Sequence, residues 1–153
     1  VPALRASRPV LVVGFILALL AFGTTPSTAA TTANISVSTA LTRQDGSAAT
    51  VEGYVVGQPT ATTTVVRSNF PSDTALALAD SSSQTSTSAM VYVQIPAAFR
   101  AQYGLQTNPG LLGTKIAVTG TLTAYFSHPG VKNPTAFSGG GASDPGTPPA
   151  PGE

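Results

Sequence analysis

Few residues in this chain could do chemistry, and they are scattered. The chain holds one histidine, His128, and no cysteine. That excludes a thiol nucleophile, a disulfide framework and a thiolate zinc site, and leaves a single imidazole for acid–base work. His128 sits in a His-Pro-Gly stretch with no acid or nucleophile beside it in sequence, and reads as a turn residue. The six acids, Asp45, Glu52, Asp73, Asp80, Asp144 and Glu153, stand singly. Glycoside hydrolysis would need them paired and a calcium loop would need them clustered. Asp80 directly precedes a serine run and reads as a turn-capping or buried carboxylate, with a ligand or ion contact as the alternative. There is no G-x-S-x-G, Walker loop or G-x-G-x-x-G, and the Asn34-Ile35-Ser36 sequon is taken as a chance match. No cofactor or metal is implied, and the expectation is a protein that binds and does not catalyse.

The candidate binding residues are aromatic and basic. Tyr54, Tyr92 and Tyr125 fall in strand-like stretches at positions opposite the core-facing ones, and Gln94 shares the face of Tyr92. Base stacking on such a platform contributes about 1–3 kcal/mol per base. Arg67, Lys115 and Lys132 could add phosphate contacts. The bland alternative is that the tyrosines half-bury beneath surface loops.

The elements that must position these residues are mostly strands. Ser36 to Leu41 places hydroxyl caps before a short apolar pair and predicts a brief N-terminal helix, with Asp45-Gly46 as the turn after it. Thr50 to Gly57 is a strand containing two glycines, a sign of bending or bulging, and Gln58-Pro59 is expected to end it. Thr62 to Val66 is an irregular strand or a loop. Ala75 to Ala79 is a short strand with Leu76 and Leu78 on one face, and Ser81 to Ser88 is a polar loop. In Met90 to Ile95, Val91, Val93 and Ile95 point one way, with Tyr92 and Gln94 opposite. Pro96 opens a helical segment closed by Gly104, and Asn108-Pro109-Gly110 is a turn. In Lys115 to Phe126 the inward set is Ile116, Val118, Leu122 and Phe126. The outward set includes Lys115, Thr119, Thr121 and Tyr125. Val131 to Phe137 closes the sheet, with Pro134 marking an edge. A helix between the third and fourth of five strands is the order of a small OB-like barrel. The expected fold class is therefore mainly β: a five-stranded OB-like barrel with that one helix, plus the short N-terminal helix.

Both ends lie outside this domain, which is placed at residues 34–138. Arg5 and Arg8 precede an apolar run from Val10 to Phe22, and small residues follow up to Ala30. The run is too short to span a bilayer comfortably. Residues 1–30 therefore read as a secretory signal peptide, and no membrane span is expected after its cleavage. Residues 139–153 hold nine Gly or Pro in fifteen positions, a linker or tail composition. The whole chain of 153 residues carries a formal net charge of +1 and only 8% charged residues. Without residues 1–30, five basic residues face six acids, for a net charge of −1. Any affinity for nucleic acid should thus be weak and sensitive to salt.

Several stretches, taken in order, resemble one family. They are Val51 to Gly57, Leu76 to Ser81, Val93 to Pro96, Asn108 to Gly110 with Leu112-Gly113, and Val118 through Tyr125-Phe126 to Lys132. Together they resemble the OB-like domain near the N-terminus of secreted bacterial sugar-non-specific nucleases of the YhcR type. The resemblance implies an accessory module, without the nuclease domains, that binds nucleic acid. Two functional classes stay open. One is a secreted module for single-stranded nucleic acid, accessory to a nuclease. The other is a structural or interaction module of the cell surface that binds a protein or glycan. A basic groove around Tyr54 and Tyr92 would favour the first, and an apolar or threonine-lined flat patch the second.

Overall fold

A computed structural model describes residues 33–140. The expected signal peptide and all but the start of the Gly/Pro-rich tail lie outside the described residues. Mainly β structure is found, with seven strands in a mixed sheet and two short α-helices among the described residues. In chain order these are β1 (Ile35–Ser36), α1 (Val37–Thr42), β2 (Ala48–Ala61), β3 (Thr64–Val66), β4 (Ala75–Ala79), β5 (Met90–Gln94), α2 (Ala97–Tyr103), β6 (Lys115–Leu122) and β7 (Gly130–Gly139). Five expected strands become seven because β1 and β3, two and three residues long, are too short to show a period of two.

The long strands pair in the order β2–β4–β5–β7–β6, and β6 pairs back onto β2 from Ala48 to Tyr54. The β5–β7 and β1–β2 pairs are parallel and the others antiparallel. Alternation explains the main core. Val51 and Val55 of β2, Leu76 and Leu78 of β4, Val91 and Val93 of β5, and Ile116, Val118 and Leu122 of β6 share one buried cluster. All were placed inward by the sequence where it assigned them a face.

Each of the two short α-helices is held by a particular contact. Ser36 caps α1, its hydroxyl accepting from the Thr39 N–H at 3.1 Å. The Asp80 carboxylate, at the end of β4, accepts from the Val37 and Ser38 N–H groups at 2.8 and 2.9 Å, satisfying two donors that a helix start leaves free. Helix α2 begins after Pro96 and packs Phe99 and Tyr103, one turn apart, on Phe137 of β7, with ring centroids 4.9 and 4.8 Å apart. Gly104 ends α2, but its φ is −71°, so left-handed backbone is not its role. A Cβ there would collide with the Asp73 side chain, whose carboxylate holds the Thr107 N–H and hydroxyl.

Three expectations change. Strand β2 does not end at Gln58-Pro59 but runs on to Ala61, because its far half turns away and pairs with β3, Gln58 opposite Val66 and Pro59 opposite Val65. Gly57 permits that close approach: a Cβ there would lie 2.5 Å from the Val66 carbonyl oxygen. Strand β7 is not an edge, since it lies between β5 and β6. Pro134 falls where the register skips from Thr119–Ala136 to Thr121–Lys132, so the missing N–H is lodged in a bulge. Phe126 does not face inward. Strand β6 stops at Leu122, and Phe126 is 38% exposed with a positive φ of 55°.

Candidate binding site

The structure distributes the seven candidate residues over four places. Tyr54 and Lys115 are brought together, as partners across the β2–β6 ladder. The Lys115 Nζ lies 5.9 Å from the Tyr54 ring centroid, at the outer reach of a cation–π contact. Both line a groove of about 410 Å³ with Asn34, Ile35, Ser36, Glu52, Gly53 and Asp80. A smaller groove of about 240 Å³ continues past Lys115 to Ser138 and Gly139.

The groove is not basic. Lys115 forms an ion pair with Glu52, and the other Glu52 oxygen accepts from the Asn34 amide at 2.8 Å. The hydrogen bonds from Lys115 and Asn34 hold the Glu52 carboxyl below the usual range. The same contact with Glu52 raises Lys115. Burial works against ionisation of Asp80, but the hydrogen bonds from Ser38 and Val37 outweigh it and keep its carboxyl below the usual range. Two carboxylates and one ammonium thus face a half-buried tyrosine ring. The sequence offers Asp80 as a capping carboxylate or a ligand contact and gives no sign that Glu52 belongs to a groove. Both reach it through strand register, which composition does not reveal.

Tyr92 lies elsewhere, and its expected role as an open platform is corrected. The tyrosine does point away from the main core, as alternation requires. That side of β4 and β5 is covered too, and Tyr92 is fully buried. It packs in a second cluster with Val56, Ala77, Ala79 and Met90, flanked by Val65 and Tyr125. Its hydroxyl donates to the Thr62 carbonyl at 2.9 Å, and burial raises its pKa above the ordinary phenol value. Tyr125 is half-buried and belongs to no strand. It forms an isolated bridge with His128 across a tight turn in which Phe126 and Ser127 both have φ of 55°. Burial raises the Tyr125 hydroxyl as well, against an opposing effect of Arg100.

The remaining three candidates join neither site. Gln94 accepts from the Asn133 N–H at 3.1 Å, one residue past Lys132 on β7, so those two candidates are near neighbours. Arg67 donates to the Gln84 carbonyl of the serine-rich loop and lines a separate groove of about 440 Å³ with Phe70 and Leu112. Among the described residues no group of three or more His, Cys, Asp or Glu could hold a metal ion, and no helix is long and apolar enough to cross a membrane.

The outer side of β2, β6 and β7 is lined by small and hydroxyl side chains. Thr50 and Thr119 share a hydrogen bond of 2.7 Å, and Thr121, Ala117, Ala136 and Ser138 continue the surface.

These features define a small, mainly β domain with polar surface grooves, and its sequence places it in a family. The family described as "Domain of unknown function (DUF6359)" matches residues 35–139, and the chain belongs to it. The chain is 45% identical over 117 residues to "Endonuclease YhcR" of Bacillus subtilis (strain 168). That stretch covers 76% of this chain but 9% of the endonuclease, so the resemblance is to an accessory module of a much longer protein. Among solved structures, the hypothetical protein ygiW from E. coli matches with a TM-score of 0.42 and 12% identity, over 70% of this chain and 89% of that one.

Proposed function

We propose that this chain is a non-catalytic, OB-like accessory module of a secreted, nuclease-type protein, and that it binds single-stranded nucleic acid weakly through the Tyr54–Lys115 groove. The closed order β2–β4–β5–β7–β6–β2, with α2 between the third and fourth long strands, supports the OB-like reading, since that is the connectivity of the five-stranded OB barrel. Secretion, to the medium or the cell envelope, is supported by the Arg5 to Ala30 pattern. The single observation that carries the ligand is the pairing of an accessible aromatic ring with an ammonium across adjacent strands, in a chain related to part of an endonuclease. Tyr54 supplies a face for one base and Lys115 a phosphate contact. Glu52 competes with the phosphate for Lys115, so affinity is micromolar or weaker and falls with salt.

Fluorescence anisotropy with a labelled oligothymidylate at about 50 and about 200 mM salt tests this. Tyr54→Ala should weaken binding roughly tenfold, within the range of one lost stack. Glu52→Gln should strengthen it by releasing Lys115. Absence of binding at low salt, or an unchanged Tyr54→Ala, would move the assignment to the second reading, a cell-surface module for a protein or glycan. The threonine-lined outer side of β2, β6 and β7 favours that reading.

A further inference from the structure

The side of β4 and β5 away from the main core is closed by two hairpins. One is β2–β3, whose tip carries Thr62. The other is the turn from Tyr125 to His128. Thr62 joins the two, since its hydroxyl donates to the Phe126 carbonyl at 2.8 Å while its own carbonyl accepts from Tyr92. Beneath them the His128 imidazole stacks on the Tyr92 ring, with centroids 4.0 Å apart and planes 16° from parallel. That is the placement a planar heterocycle takes on an aromatic platform.

His128 is only partly buried, and the turn carrying it is held by few bonds. Within the turn these are the two backbone bonds between Tyr125 and His128, at 2.8 and 3.1 Å, the Thr62 contact, and a 3.1 Å approach of the His128 Nδ1 to the Pro129 carbonyl. Its base is tied down by the Tyr92 N–H to the Pro129 carbonyl and the Thr123 N–H to the Gly130 carbonyl, both at 3.1 Å. The strands beneath are paired throughout from Ala75–Gln94 to Ala79–Met90. A segment with few bonds, lying over a continuously paired sheet, is the part that opens first.

We infer that Tyr92 is a latched stacking site, that His128 is its built-in occupant, and that a nucleobase replaces the imidazole when the Thr62 latch opens. This rests on the nucleic-acid reading above but uses a different face of the sheet. The platform is Tyr92 with Met90, and the entry lies between Thr62 and Phe126. Closed, the protein binds through the Tyr54 groove alone. Open, it gains a second stack.

Two measurements test the inference, one with and one without nucleic acid. Acetylation of tyrosines by N-acetylimidazole, located by peptide mass spectrometry, reads the latch itself. In the wild-type chain Tyr54 should react and Tyr92 should be protected. Thr62→Ala and His128→Ala should each raise Tyr92 labelling while far-UV circular dichroism is unchanged. Tyr92 remaining protected in both variants, or labelled only on global unfolding, would overturn the latch. In the oligothymidylate titration, His128→Ala should bind about tenfold more tightly than wild type, the effect of one added stack. The gain should vanish in His128→Ala with Tyr92→Leu and persist with Tyr92→Phe. His128→Ala binding no better than wild type would overturn the site. A gain in His128→Ala together with an unchanged Tyr54→Ala would reject the open groove and keep the latched site. The reverse pair would do the opposite.

Discussion

Replacing Tyr92 by alanine distinguishes the structure from the bare strand alternation most sharply. A tyrosine on an open sheet face can be truncated at little cost, because surface changes are usually within about 0.5 kcal/mol. Tyr92 is instead fully buried among Val56, Ala77, Ala79 and Met90, and removing a buried aromatic ring costs about 3–5 kcal/mol through lost transfer energy and the cavity left behind. Its hydroxyl adds a smaller share. The partner is the carbonyl of Thr62, an exposed residue that water can reach, so Tyr92→Phe should cost about 0.5–1.5 kcal/mol. Domains of this size are stable by about 5–15 kcal/mol, so Tyr92→Ala should leave a folded but weakened protein. Urea unfolding followed by circular dichroism is the assay. With a slope of about 1.5 kcal/mol/M, the alanine variant should unfold roughly 2–3 M earlier than wild type. Tyr54→Ala, at a half-buried position, should shift the midpoint by well under half as much. Equal shifts for the two tyrosines would refute the second cluster.

The same assay checks the main core: Leu122→Ala should cost about 2–5 kcal/mol, whereas Thr121→Ala, one residue away on the opposite face, should cost under about 0.5 kcal/mol. Asp80 makes stability depend on pH. Because its carboxyl titrates below the usual range when folded, its contribution is complete above the unfolded value of about 3.9 and disappears as pH falls through the folded value. Asp80→Asn should therefore lower the melting temperature near neutrality by the equivalent of about 1 kcal/mol, a lost helix cap. Below pH about 4 the variant should lose less further stability than wild type, and parallel losses would show that Asp80 does not hold α1.

Much of the fold was legible because alternation and punctuation are local. Ala75 to Ala79 forms a strand, and Leu76, Val93, Ile116 and Leu122 face the core, as alternation predicts. What alternation could not tell is what covers the second side of a strand. Tyr92 was placed on the correct face, yet that face is buried, because a hairpin some thirty residues earlier folds across it. The sequence held a hint in Ala75, Ala77 and Ala79, three alanines on the outward positions of β4, where a solvent-facing strand would carry polar residues. Pro134 suggests an edge because a proline denies a bond in any strand, and only the register shows the bulge that absorbs it. Of the candidate site, Tyr54 and Lys115 are both legible as candidates, but their meeting depends on a ladder between residues 61 positions apart. Glu52, which neutralises Lys115, was invisible for the same reason. Arg67 and Lys132 offer only their charge in the sequence, and neither joins the groove.

Amide and side-chain chemical-shift mapping of the isotope-labelled protein during titration with oligothymidylate tests the proposed function most directly. The account predicts fast-exchange shifts concentrated at Glu52, Gly53, Tyr54, Asp80 and Lys115, reduced by added salt and moved to roughly tenfold higher oligonucleotide concentration in Tyr54→Ala. Shifts confined to the groove of Arg67, Phe70 and Leu112, or to the threonine-lined side of β6 and β7, would contradict it, and so would a spectrum that does not change at low salt.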